Sequence, residues 1–330
     1  MKKLLLFILS LLVGIGIFIW VIKMVGWEEL EKDFRLFQGT DGLIILGLTL
    51  MTMAIGIWRW REILKSIGVK LPPGKMISPF LAGFSIMFLA PILIWGGEVL
   101  RTYILKHRND VPWSKGMASV IIDRILEWTA NLVVIFLGGI IFLFFNDFPT
   151  NKFVIIFVGL FLFFVVLLIF FFIKCYKRES ISAIFLRKRK DNLLEVEKEI
   201  FNFFKRSKLA TWKAIALSFL RVSIMYVRVW FLITFLGKSV AALSALSILG
   251  FSYLAIMIPI PTALGTHEAI QSFAFNSLGL GISTATAFTM IIRVAELAVA
   301  FTGVVLLFRF GIIIMRDKIL SKIESLSDED

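Results

Sequence analysis

The chain has 330 residues, of which 59% are apolar and only 18% charged, with 34 Phe and 9 Trp. An average soluble domain carries about 25% charged residues, and folding hides only about three quarters of a chain this long. That balance excludes an ordinary soluble enzyme, a collagen-like fibre and a disordered chain, and the long apolar runs indicate an integral membrane protein. The net charge of +13 is read as Lys and Arg gathered in cytoplasmic loops, with no nucleic-acid partner expected. A single cysteine, Cys175, excludes an internal disulfide, and two histidines are too few to complete a Cys/His zinc cage. No metal and no cofactor are expected.

The first apolar segment, Leu4 to Ile22, follows Lys2 and Lys3. It is too long for a signal-peptide core and lacks a small-x-small cleavage site, so a retained spanning helix is expected. Seven further hydrophobic segments lie at about 42–58, 76–97, 116–144, 153–173, 214–236, 239–261 and 283–308, each a candidate span. Segment 26–41, with Glu28, Glu29, Glu31, Asp33 and Asp41 against Lys32 and Arg35, reads as external. Segments 59–75 and 98–115 are basic, and 174–213 holds twelve Lys/Arg against five acids, so all three read as cytoplasmic. Residues 262–282 contain no Lys or Arg and read as external.

These signs conflict with eight simple crossings. Both flanks of 76–97 are basic, while 239–261 begins and ends on the weakly charged side. Each segment is broken by proline and glycine: Pro91, Gly96 and Gly97 in the first, Pro259, Pro261 and Gly265 at the second. Irregular backbone at membrane depth is tolerated where protein or a cavity surrounds it. Two re-entrant hairpins and about six full transmembrane helices are expected, with both termini cytoplasmic; plain crossing by both segments is the competing reading. Two stretches carry apolar residues at helical spacing between charges, Trp27/Leu30/Phe34/Phe37 and Leu193/Val196/Ile200/Phe203, and predict short amphipathic helices on a membrane face.

Self-comparison exposes a repeat. Pro91 precedes Glu98 by the interval at which Pro261 precedes Glu268, and the pairs Arg124/Glu127 and Arg293/Glu296 follow in turn. Arg59 and Arg228 fall in the same register, an offset of about 170 residues. The fold class expected is therefore an all-α polytopic membrane protein built from halves 1–145 and 150–312, with the basic linker 174–213 inside the second and a tail from 313 to 330. An odd number of crossings per half inverts the second, a construction of many secondary transporters.

Asp123, Arg124, Glu127, Arg221, Arg228, Arg293 and Glu296 fall within predicted spans. A charge at a helix centre costs about 2.5–3.5 kcal/mol on insertion scales, so such groups face a cavity or one another. Arg124/Glu127 and Arg293/Glu296 sit three residues apart, close enough to pair; locking the halves together is the structural alternative to substrate contact. Each hairpin restarts as a helix at Glu98 or Glu268, whose free N–H groups suit an anion unless those carboxylates take them. His267-Glu268-Ala-Ile-Gln271 lacks the second histidine of a zinc protease. No G-x-S-x-G elbow, Walker A or G-x-G-x-x-G is present, so an enzyme is not expected.

Pro-x5-Gly-Glu with an Arg-x-x-Glu helix, recurring as Pro-x-Pro-x3-Gly-x-x-Glu and a second Arg-x-x-Glu, resembles the flippase-like membrane domain of the lysyl-phosphatidylglycerol synthase (multiple peptide resistance factor) family. The resemblance covers about residues 5–312 and implies lipid translocation between leaflets. Trp95-Gly96-Gly97 departs from the family, where an arginine or similar polar residue is expected. The chain stops at Asp330 without the soluble domain of the two-part proteins, so synthase activity is not implied. The expected function is a stand-alone flippase of the cell membrane, moving a phosphate-containing lipid, aminoacylated or polyprenyl-linked among the options. Arg124 and Arg293 would hold phosphate, with Glu127, Glu296, Glu98, Glu268, Arg228 and Asp123 around the headgroup. A scaffold assisting a cell-envelope transferase, or an ion- or solute-coupled exchanger, are the alternatives. Membrane lipids are the expected partners, and a homo-oligomer is compatible with the sequence.

Overall fold

The computed structural model describes residues 39–89, 96–145, 151–177, 191–206, 208–257 and 266–327. The predicted span 4–22, the amphipathic stretch 27–37 and the hairpin breaks Pro91, Pro259, Pro261 and Gly265 lie outside the described residues. Among the described residues there are ten helices and no strand. In chain order they are α1 Thr40–Ser66, α2 Gly74–Leu89, α3 Gly96–Asn109, α4 Trp113–Phe145, α5 Asn151–Lys177, α6 Asp191–Arg206, α7 Lys208–Phe235, α8 Ala242–Met257, α9 Thr266–Ser277 and α10 Ile282–Ser327.

Four of these, α1, α4, α7 and the first part of α10, contain stretches long and apolar enough to cross a membrane. Helices α2 and α8 have 16 residues each. Within the apolar segment predicted at 76–97, the described part of α2 runs to Leu89 and α3 begins at Gly96. Helix α3 folds back on α2, and this requires glycine. A Cβ on either Gly83 or Gly97 would overlap the other residue's carbonyl oxygen. Helix α9 folds back on α8 likewise, with the Gln271 Nε2 donating to the Ser252 Oγ at 2.6 Å.

The helix ends explain themselves. α1 and α7 both close with a left-handed glycine, Gly68 (φ 85) and Gly237 (φ 71). In each, the next amide reaches back five residues, Val69 to the Leu64 carbonyl and Lys238 to the Ile233 carbonyl. This is the Schellman arrangement, which only glycine enters without a Cβ penalty.

Tertiary packing pairs α1 with α7, α4 with α8, and α2 with α10. The last two crossings are close. A Cβ on Gly250 of α8 would lie 3.1 Å from the Val134 carbonyl oxygen of α4, and one on Gly303 of α10 would overlap the Leu81 carbonyl oxygen of α2. Two apolar clusters fill the interior. One is centred on Phe142, Phe251, Phe275 and Phe288, the other on Trp60, Met76, Leu105 and Ile122. Helix α5 instead shows Leu162, Phe163, Val166 and Ile169 outward, a surface suited to lipid rather than water.

Two expectations change, at Arg101 and at α6. The basic stretch 98–115, expected to restart as a helix at Glu98, does so as α3, but Arg101, counted among its loop charges, is buried. The amphipathic stretch 193–203 forms α6, but Val196, Ile200 and Phe203 are buried against the second apolar cluster rather than presented to a membrane face. Helix α10 runs on through residues 313–327 of the expected tail, where no Gly or Pro interrupts it.

Candidate functional site: two clusters of ion-paired arginines

Helix α4 places Asp123, Arg124 and Glu127 within little more than one turn, and α1, α3 and α7 bring arginines to them. Arg59 of α1 donates from Nε to the Asp123 Oδ1 at 2.7 Å, from Nη1 to the Ser218 Oγ at 3.1 Å and from Nη2 to the Glu127 Oε2 at 3.2 Å. Arg101 donates from both Nη atoms to the Asp123 Oδ2 at 3.2 Å. Its guanidinium carbon stands 4.0 Å from the Trp60 ring centre and 4.7 Å from that of Phe80. Trp60 is itself fixed by an Nε1 bond of 3.0 Å to the Ser119 Oγ. Arg124 donates from Nε to the Glu98 Oε1 at 2.5 Å and from Nη1 to the Glu127 Oε2 at 3.2 Å. Arg221 of α7 reaches the other Glu127 oxygen.

Burial sorts this first cluster into two layers. The side chains of Arg59, Arg101 and Asp123 are 1–3% exposed, whereas those of Arg124, Glu127 and Arg221 are 15–17% exposed. The inner layer ties helices together with charge-assisted bonds. The outer layer is the part another molecule could reach.

A second cluster forms around α10. Arg228 of α7 donates from Nη1 to the Thr49 Oγ1 at 3.1 Å and from Nη2 to the Glu296 Oε1 at 3.2 Å. Arg293 pairs with the Glu268 Oε1 at 2.6 Å. The carboxylates Glu268 and Glu296 are 21% and 25% exposed.

The two clusters correspond bond for bond at an offset of about 170 residues. Arg59 to Ser218 answers Arg228 to Thr49, Arg59 to Glu127 answers Arg228 to Glu296, and Arg124 to Glu98 answers Arg293 to Glu268. The first of these correspondences crosses between the halves in both directions.

All eight predicted charged residues therefore lie in one cluster or the other. The predicted Arg124/Glu127 pair is present, while Glu296 and Arg293 are paired instead with Arg228 and Glu268. Glu98 and Glu268, at the starts of α3 and α9, accept from arginines. The sequence reading gave no site role to Arg59, Arg101 or Arg221. Arg101 had a signal that was overlooked, since it follows Glu98 by three residues on one helix face. The basic cleft lined by Arg61, Lys65, Lys70, Leu71 and Pro72 includes no member of either cluster.

The family model described as the lysylphosphatidylglycerol synthase TM region matches residues 7–303. The UPF0104 membrane protein PH1989 of Pyrococcus horikoshii is 25% identical over 309 residues, covering 86% of this chain and 91% of that protein. The UPF0104 membrane protein MJ1595 of Methanocaldococcus jannaschii is 24% identical over 308 residues, covering 84% and 88%. No solved structure matches.

Proposed function

The chain belongs to the lysylphosphatidylglycerol synthase TM region family, and from that premise we propose that it carries a phosphate-bearing lipid headgroup between the leaflets of the cell membrane. The observation that carries this reading is the duplicated arginine–carboxylate constellation inside long apolar helices. Ionisable groups at membrane depth are costly and mark substrate or proton pathways. A pair of similar sites related by a repeat is how many transporters present one face and then the other.

The reading includes an inverted second half, about six full crossings and two re-entrant hairpins, α2/α3 and α8/α9, with both termini cytoplasmic. The matched helix pairings and the bond-for-bond correspondence of the clusters support it. Arginine suits the task because its planar fork can keep one carboxylate while a second edge grips phosphate. Glu127 and Glu296 then act as internal counter-ions, holding the arginines when no headgroup is present. Acyl chains stay in lipid along the outward apolar faces. Reconstitution into sealed vesicles containing fluorescent phosphatidylglycerol in one leaflet tests the reading. Probe should become accessible in the other leaflet only where the protein is present, and a rate equal to protein-free vesicles overturns the proposal.

A further inference from the structure

The clusters differ in net charge. In the first, Arg59, Arg101, Arg124 and Arg221 face three carboxylates, Glu98, Asp123 and Glu127, which leaves one positive charge over among the described residues. In the second, two arginines, Arg228 and Arg293, pair with two carboxylates, Glu296 and Glu268, among the described residues. A buried charge without a counter-charge is expensive, so a surplus arginine in the first cluster favours an added anion there.

Two further features say where that anion sits. Among the described residues the buried Nε atoms of Arg221, Arg101 and Arg228 have no hydrogen-bond partner, and of these only Arg221 belongs to the more exposed layer of the first cluster. The Arg124 Nη2 donates to the Sδ of Met87, on the last turn of α2. A thioether is a weak acceptor for a guanidinium, and methionine is the most adaptable of the apolar side chains. Both arginines also bracket Glu127 and belong to the more exposed layer. The counterpart contact in the second half, Arg293 Nη1 to the Met290 Sδ, is long at 3.9 Å.

We propose that the outer layer of the first cluster is a seat for a phosphate-type oxyanion gripped by Arg124 and Arg221, with Met87 as a displaceable cover that occupies the oxyanion's place between visits. The seat names the substrate chemistry of the translocation reading and rests on it only for the identity of the oxyanion as a lipid headgroup. When an oxyanion arrives, Met87 swings away, one oxygen takes the Arg124 Nη2 and another takes the Arg221 Nε. Glu127 keeps its bonds to both arginines throughout, so the surplus charge is neutralised without breaking the inner layer.

The proposal predicts opposite effects from two substitutions at one position. Met87→Leu removes the competing acceptor and should tighten oxyanion binding. Met87→Gln supplies a permanent strong acceptor and should weaken it about tenfold, the scale of one hydrogen bond to a charged group. The full chain in a neutral detergent is titrated with dioctanoyl phosphatidylglycerol, with inorganic phosphate, and with uncharged dioctanoylglycerol, and binding is followed by thermal shift. Tightening by Leu and weakening by Gln for phosphatidylglycerol, with no response to dioctanoylglycerol, supports the seat. The same pattern with inorganic phosphate at equal affinity makes free phosphate, not a headgroup, the ligand. Shifts of the same sign in both variants, or none, overturn the proposal. Should Met87→Gln fail to fold, Arg221→Lys replaces it; it keeps charge, removes the Nε donor and should weaken binding, and unchanged binding overturns the seat. Oxyanion binding without lipid movement in vesicles would remove the translocation reading and leave the seat standing.

Discussion

The first and second charge clusters are tied to their helices by the same three kinds of bond and differ in what has been added to them. Arg59 and Arg228 each reach across to a hydroxyl of the other half, Ser218 and Thr49, at 3.1 Å. Around Arg59, however, stand Asp123, Arg101 and Arg221, while the corresponding positions around Arg228 are Ile292, Gln271 and Thr52. The shared bonds are those a duplicated framework needs. The additions bury a carboxylate between two arginines and leave a surplus cation at the surface of the cluster. The first cluster therefore concentrates more charge around its arginine than the second does.

The largest expected effect separates the two at their cores. Asp123→Asn leaves Arg59 and Arg101, both almost completely buried, without their shared carboxylate. A loss of about 3–5 kcal/mol is expected, read as a lowered unfolding midpoint in detergent. Glu296→Gln removes a carboxylate that is a quarter exposed and leaves Arg228 bonded to Thr49, so its loss should be less than half as large. Equal losses would erase the distinction between the clusters.

The crossings of α4 with α8 and of α2 with α10 give a smaller effect. Gly303→Ala forces a methyl into the Leu81 carbonyl and should cost about 1–3 kcal/mol. Gly250→Ala meets the Val134 carbonyl at 3.1 Å and should cost less, in the same unfolding measurement. The smallest effect concerns transport alone. Arg124→Lys keeps charge but loses the planar fork and should slow lipid movement about tenfold, equivalent to about 1.4 kcal/mol, with the fold intact. Arg293→Lys, in the balanced cluster, should slow it less. Wild-type rates in a well-folded Arg124→Lys protein would make that arginine a structural ion pair.

How much of this was legible in the sequence follows from the physics of each feature. An ionisable residue in an apolar run is conspicuous, so Asp123, Arg124, Glu127, Arg221, Arg228, Arg293 and Glu296 stood out. Arg101 was hidden because it lies a few residues from Lys106 and Arg108, and one-dimensional charge counting treats all three as solvated. Partner choice was hidden as well: spacing shows that Arg293 and Glu296 share a face, but only packing reveals that Glu268 and Arg228 arrive to take them. The amphipathic period of α6 fixed an apolar face without saying that α4 and α7 rather than lipid would cover it. Nothing local marked the continuation of α10, since neither helix nor tail is forbidden to its residues.

The account depends most on the halves facing opposite sides of the membrane. On a Cys175→Ser background, single cysteines replace His107, near the end of α3, and the exposed Asn276, near the end of α9. Whole cells are treated with a membrane-impermeant thiol reagent before and after permeabilisation. Inverted halves predict that the cysteine at 276 labels from outside and the cysteine at 107 only after permeabilisation. Labelling of both from the same side would contradict the inversion, and with it the alternating use of the two clusters.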